Sequence, residues 1–250
     1  MKLFERILFR ISVPRCINCG EALEIGEKAI CNNCKRIFED TKERNCSICA
    51  RPLYSCDCTS KYLESHFVHK LIKVFRYKPG EETVQNKLIY SLKRENRRDV
   101  VDFLSEELKN SILASVKITN DTVITSVPRR KRAIAKYGID HSRVLARATA
   151  KKLSAEYIPT LKSLAKKPQK KAVNIDERIE NAKFKPIKQS VDLEKKTVIL
   201  IDDIVTTGAS MGAAAFNLKS MGAKRIIGAA LSVAYKDNYV PLSKDDRFKG

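Results

Sequence analysis

The stretch Val198–Ser210, VILIDDIVTTGAS, constrains the fold more than any other part of this 250-residue chain. Four apolar residues, Val198 to Ile201, lead into two adjacent carboxylates, Asp202 and Asp203, and then into Thr206-Thr207-Gly208. A short apolar run bounded by turn residues reads as a strand buried on both faces. Such strands belong to parallel sheets covered by helices on both sides. Two neighbouring negative charges at the end of a buried strand need something to meet them, and ligands of parallel sheets bind beyond the carboxyl ends of the strands. Thr206-Thr207-Gly208-Ala209-Ser210 is expected to turn into a helix, whose first N–H groups, together with the hydroxyls, suit a phosphate. Carboxylates beside a phosphate cradle fit a ligand with vicinal hydroxyls next to a phosphate, and ribose 5-phosphate has that pattern. The segment carries neither the Lys-Ser/Thr of a Walker loop nor GxGxxG.

The surrounding sequence repeats the strand–helix alternation. DTVITSVP reads as a short buried strand halted by Pro128, and KRIIGAALSVA as another strand. Helical spacing places Val84, Leu88 and Leu92 on one face, then Val100, Leu104 and Leu108 on a second helix. HSRVLARATAKKL is expected to be a helix with Val144, Leu145, Ala148 and Leu153 inward, and GASMGAAAFNLKSMG a helix closed by Gly222. HFVHKLIKVFRYKPG, His66–Gly80, reads as an extended or hairpin region ending at a Pro79-Gly80 turn. Lys166–Lys196 reads as a long lysine-rich loop with one short helix near Glu177–Ala182. The expected class is therefore α/β, with a parallel twisted sheet flanked by helices over residues 61–250. A small cysteine-rich module precedes it in residues 1–60.

All eight cysteines fall between Cys16 and Cys58, as Cys16/Cys19, Cys31/Cys34, Cys46/Cys49 and Cys56/Cys58. A gap of two residues lets both sulfurs of a tight turn face one ion, and thiolate is a preferred zinc ligand. Four pairs make two tetrahedral sites, grouped either sequentially or in an interleaved order; the sequential grouping is the simpler. A disulfide framework is the competing reading, and it belongs to secreted chains. Sites closed by four cysteines leave no open coordination position, so the two Zn²⁺ ions are expected to be structural. Because the thiols already saturate those sites, His66 and His69 are expected to be ordinary strand residues.

At the level of motifs, VILIDDIVTTGAS resembles the phosphoribosyl pyrophosphate (PRPP) signature of type I phosphoribosyltransferases. The resemblance implies that Asp202 and Asp203 hold the ribose hydroxyls and that Thr206, Thr207, Gly208, Ala209 and Ser210 wrap the 5-phosphate. From Cys16 onward the chain also resembles the ComF (ComFC) competence-related proteins, which join a cysteine-rich zinc module to a phosphoribosyltransferase-like domain. The segments that carry this likeness are YKPG…LIYSLKRE, SVPRRKRAIAKYGIDHS and the Gln169, Arg178, Asn181, Phe184 stretch. It implies PRPP with Mg²⁺ as ligand, and Arg129, Arg130 and Lys93 as takers of the departing pyrophosphate charge. It also implies single-stranded DNA and other DNA-uptake proteins as partners. Where many relatives read Arg-Gly-Phe-Asn-Gln, this chain reads Tyr137-Gly138-Ile139-Asp140-His141, losing one cation and two amides. Arg129, Arg130, Lys131 and Arg132 stand just before and are expected to supply the charge. His141 is read either as a base near the site or, by preference, as a surface histidine at a helix start.

The charge balance points the same way. The chain has 49 Lys and Arg against 29 Asp and Glu, a net +20, more than one PRPP requires. Between Val127 and Lys152 stand nine basic residues and one acidic residue, and Arg143, Arg147 and Lys151 recur every four residues as one stripe. A polyanion fits that stripe; with no Trp, base stacking contributes little. No apolar run is long enough to span a membrane. The opening MKLFERILFRISVPRC reads as a short packed helix, which leaves a cytoplasmic location as the expectation. Three functions remain open at this point: a phosphoribosyltransferase with a nitrogenous acceptor, a PRPP- and DNA-binding protein of DNA uptake, and an adaptor that recruits partners through its zinc module.

Overall fold

The computed structural model describes residues 13–43, 46, 49–77, 80–95, 97–165, 182–187 and 192–233. The expected N-terminal helix, most of the short helix near Glu177, and Gln169, Arg178 and Asn181 lie outside the described residues.

In chain order the elements are α1 (Asn32–Lys42), α2 (Lys61–Ser65), β1 (Val68–Arg76), α3 (Val84–Arg94), α4 (Arg98–Ser115), β2 (Thr122–Ser126), α5 (Lys131–Tyr137), α6 (His141–Lys152), β3 (Glu156–Tyr157), β4 (Leu161–Ser163), β5 (Phe184–Pro186), β6 (Thr197–Val205), α7 (Ala209–Ser220) and β7 (Arg225–Val233). The main sheet has five strands in the order β1-β7-β6-β2-β3, every neighbouring pair parallel, as the apolar runs required. Along β6 the side chains alternate between two cores. Ile199 and Ile201 join Ile72, Phe75, Leu104 and Leu145 on the α4–α6 face. Val198 and Leu200 join Leu71, Met211, Ala214 and Leu218 on the α7 face. A period of two on a strand and burial on both faces make this sheet the centre of the molecule. Gly228 of β7 lets α7 approach closely, because a Cβ there would stand 2.6 Å from the Met211 sulfur.

The topology also places the site. From β2 the chain crosses to β3 on the outer side; from β6 it crosses to β7 on the opposite side. The two crossovers diverge at the β2–β6 boundary, the switch point at which open α/β sheets leave a crevice beyond their carboxyl ends. The residues after β2 and at the end of β6 therefore face each other there.

Several local expectations change. His66–Gly80 is not a hairpin: within it β1 is a single strand whose partner is β7, near the other end of the described chain. His69 lies in that strand, whereas His66 caps α2, with its ring stacked on Tyr62 at 4.2 Å and Nδ1 2.8 Å from the Tyr62 carbonyl oxygen. The inward face of α6 is Leu145, Ala146, Thr149 and Ala150, shifted by about one position, while Val144 and Ala148 are half-buried. The shift follows from α6 packing against both α4 and the sheet. Within Lys166–Lys196, Phe184–Pro186 is not loop but β5, paired antiparallel with Leu161–Ser163. A partner strand more than twenty residues away leaves no local signal.

The cysteine-rich segment and the sheet share one core. Cys16, Ala29, Ile30, Cys34 and Phe38 join the α4–α6 cluster. Phe38 of α1 meets Phe75 edge-on at 5.5 Å between ring centroids and Phe103 at 5.3 Å. Phe38→Ala is expected to destabilise the protein by about 3–5 kcal/mol, the usual cost of deleting a buried aromatic ring. Denaturant unfolding measures it, and an unchanged midpoint would show that the two parts do not depend on each other.

Candidate functional site

Towards the carboxyl end of β6 the apolar run gives way to Asp202 and Asp203, which still lie within the strand, so the sheet itself delivers both carboxylates to the crevice. Asp203 is only 7% exposed. Its Oδ2 lies 3.1 Å from the ammonium of Lys93 near the end of α3, and its Oδ1 accepts from the Ile204 N–H at 2.8 Å. Asp202 Oδ1 accepts from Ser142 Oγ at 2.8 Å and from the Asp203 N–H at 2.9 Å. The two neighbours thus have opposite electrostatics. Burial, then the adjacent Asp203 charge, pushes the Asp202 carboxyl well above the ordinary carboxylate range. Burial would raise Asp203 too, but the Lys93 and Arg129 charges overcome it and hold that carboxyl below the usual range.

Beyond the carboxylates the chain turns through Thr206-Thr207 into α7. Gly208 sits at φ +79°, and a Cβ there would come within 3.0 Å of Leu63 Cγ, so both the turn and its packing call for glycine. Thr207 Oγ1 accepts from the Ala209 N–H at 3.4 Å, and no side chain of Gly208 caps the helix. The first turn of α7 therefore presents N–H groups and the positive end of the helix dipole to the crevice.

Across the switch point, the segment after β2 brings Arg129 and Arg130. The Asp140 carboxylate fastens it: Oδ2 accepts from the Arg129 N–H at 3.1 Å, and Oδ1 accepts from the Arg143 N–H at 3.2 Å, capping α6. Asp140 is thus a structural tie between the arginine segment and α6. A cleft of about 880 Å³ is lined by Lys93, Arg129, Arg130, Asp202, Asp203 and Thr206–Ser210 together. All ten residues expected around a ribose phosphate converge. Arg143, Arg147 and Lys151 are exposed on α6 and do not line it. Sequence reasoning missed Ser142 and the tie through Asp140; only the helix-cap pattern hinted at the latter.

His141 starts α6 as expected, but it is not a surface residue: it is 1% exposed, lines the cleft, and its Nδ1 has no hydrogen-bond partner among the described residues. Burial, followed by the Arg129 charge, lowers its pKa to about 4. A histidine depressed in the folded state favours its neutral form. It therefore adds stability that is present above the unfolded value near 6.5 and is lost as pH falls toward 4. His141→Gln is expected to lose less stability than wild type between pH 7 and pH 5. Denaturation midpoints at the two pH values test this, and parallel losses in both proteins refute it.

The cysteines gather as Cys16, Cys19, Cys31 and Cys34, and as Cys46, Cys49, Cys56 and Cys58, with the sulfurs of each set within 4.8 Å of one another. That is the sequential grouping. Cys19–Cys31 and Cys49–Cys56 sulfurs stand 3.7 and 3.6 Å apart. Roughly 3.8 Å is the edge of a tetrahedron with Zn–S near 2.3 Å, and a disulfide near 2.05 Å is far shorter. The donor sets fit zinc. Among the described residues no helix is long and apolar enough to cross a membrane.

Solved structures similar to this chain include a hypoxanthine phosphoribosyltransferase from Staphylococcus aureus, at 12% identity and TM-score 0.33 over 64% of this chain and 72% of that one. Others are a purine phosphoribosyltransferase from Pyrococcus horikoshii Ot3, at 19% and 0.31 over 63% and 78%, and the adenine phosphoribosyltransferase of Saccharomyces cerevisiae, at 18% and 0.31 over 62% and 70%. No curated protein matches the chain. The part that holds Ser142, the paired carboxylates and the loop into α7, residues 140–248, matches the family model of the phosphoribosyl transferase domain, and the parallel sheet flanked by helices agrees with it.

Proposed function

We propose that this protein binds PRPP and transfers its phosphoribosyl group to a nitrogenous acceptor. The observation that carries the reading is the convergence of Asp202, Asp203, the Thr206–Ser210 turn, Lys93, Arg129 and Arg130 on one cleft at the switch point of a parallel sheet. Thr206–Ser210 and the first turn of α7 hold the 5-phosphate. Asp202 and Asp203 accept from the ribose hydroxyls and face the positive charge that develops on the ring. Arg129, Arg130 and Lys93 draw off the charge of the departing pyrophosphate. Lys93 also pairs with Asp203, so substrate has to displace that contact or share it. Mg²⁺ bound together with the substrate would supply charge neutralisation at the leaving group. Residues 1–60 serve as the zinc-binding module of a phosphoribosyltransferase-like domain at 61–250. A screen for PRPP-dependent pyrophosphate release with bases, nucleosides and single-stranded DNA tests the reading. Release with none of them, together with no PRPP binding, refutes it.

A second ligand is favoured by one observation: Arg143, Arg147 and Lys151 form an exposed basic stripe outside the cleft. The stripe suits the phosphates of single-stranded DNA, the partner that the ComF resemblance implies for a role in DNA uptake. Affinity for an oligonucleotide should fall steeply with salt as counterions are released, whatever its sequence. Changing Arg143, Arg147 and Lys151 together to Glu should weaken it by at least about tenfold at low salt, since each lost phosphate contact lowers the salt slope by roughly one. PRPP binding should remain. Binding that ignores salt, or none in low salt, rules the stripe out.

A further inference from the structure

Lys73 stands near the middle of β1 and is 1% exposed. Its Nζ donates to the Cys58 carbonyl oxygen at 2.7 Å and lies 3.3 Å from that of Leu71. None of the ion pairs among the described residues includes it. An ammonium buried this deeply loses several kcal/mol of hydration, and two carbonyl dipoles solvate the charge without neutralising it. A buried cation in this position needs an anion.

The anion is at hand once metal is considered. Lys73 reaches the second cysteine set, whose Cys46 and Cys56 are buried around Leu53. Four thiolates on Zn²⁺ carry a net charge of about −2, which a divalent ion alone cannot cancel. At the rim, the Asp57 carboxylate is shared between Arg51 and Lys70, leaving one net positive charge beside the cluster. Lys73 contributes the other from the buried side. The first set meets its cations at half-buried positions instead: Lys87 donates to the Asn18 carbonyl oxygen at 3.0 Å, the Cys34 sulfur accepts from the neutral Asn18 amide at 3.2 Å, and Cys19 is exposed.

We propose that Lys73 is the buried counter-charge of the Cys46–Cys49–Cys56–Cys58 zinc centre, balancing its all-thiolate dianion and making this the tighter of the two sites. The inference rests on the reading of both cysteine sets as zinc sites. It explains why a lysine is found where β1 otherwise buries Leu71, Ile72, Val74 and Phe75.

The test uses the full chain, purified with zinc and challenged with a chelator while a chromogenic indicator follows metal release. Wild type should give a fast and a slow zinc, and Cys56→Ser should remove the slow one. Lys73→Met should weaken the slow site by about 10–100-fold, the usual effect of losing a group that supports metal ligands, and leave the fast site unchanged. Lys73→Arg should restore slow release. A Lys73→Met protein that releases both ions as wild type does overturns the proposal. Should that variant not fold, ¹⁵N-lysine spectra of wild type decide. An exchange-protected ammonium signal, absent from Lys73→Arg, should be present with zinc and vanish on chelation; persistence after chelation overturns the proposal. A wild-type chain purified with zinc that holds none sinks the zinc reading itself.

Discussion

Changing Asp202 and Asp203 together to alanine removes the thermal stabilisation that PRPP with Mg²⁺ gives the wild-type protein. Ligand at a hundred times its Kd adds about 2.7 kcal/mol to stability, a shift that a melting experiment reads easily. Hydrogen bonds to charged groups contribute about 1.5–3 kcal/mol each, so losing both carboxylates should weaken binding by two orders of magnitude or more. The comparison must be made as the shift on adding ligand, because the double variant also removes a pair whose like charges disfavour each other and leaves Lys93 without its partner. The unliganded melting point can therefore move either way without bearing on the site. Asp203→Asn alone should account for most of the loss, since Asp203 is the member that Lys93 and Arg129 keep ionised. A double variant that PRPP stabilises as well as it does wild type takes both residues out of the site.

Losing zinc from the first cysteine set should be the most damaging change to the fold. Structural zinc in four-cysteine sites contributes about 10–16 kcal/mol of apparent binding energy in small modules, as much as a whole domain's net stability of about 5–15 kcal/mol. Cys16 and Cys34 lie in the same core as Phe38, Phe75 and Leu104, so the first metal fastens the wall of the sheet's main core and not a detached appendage. Cys34→Ser should bring the purified chain from two zinc ions to one and lower the global denaturation midpoint severely or abolish cooperative unfolding. Cys56→Ser should also cost one zinc with a smaller global effect, because among the described residues its buried cluster holds Leu53 alone besides its cysteines. Metal analysis with denaturant titration distinguishes the two. Equal effects would show that the cores are not arranged as described, and a wild type that holds fewer than two zinc ions would remove the two-site assignment.

These predictions draw on features of different legibility. The strand Thr197–Val205, its terminal carboxylates and the turn into α7 were readable because the signals act within a dozen residues: apolar continuity, charge at the strand end, a glycine where the backbone turns left-handed. The cysteine pairs were readable for the same reason, since a gap of one or two residues sets the sulfurs of each pair by local geometry alone.

Whatever depends on remote partners was not readable. The chain order left sequential and interleaved grouping of the cysteines open, and only the packed coordinates bring Cys16, Cys19, Cys31 and Cys34 together. Ser142 reaches Asp202 across 60 residues, and β1 meets β7 across most of the domain. Residue types alone did not reveal that His141 would be buried, nor that Asp140 would bind the arginine segment. By itself the sequence determined α3, α4, β2, α6, β6, α7 and β7 and which residue types stand towards the end of β6, because backbone preference and periodicity are short-range. The tertiary structure decided which of those residues meet, what charge each one feels and which face of α6 is dry, because burial and electrostatic neighbours are set by contacts between segments whose local patterns carry no information about each other.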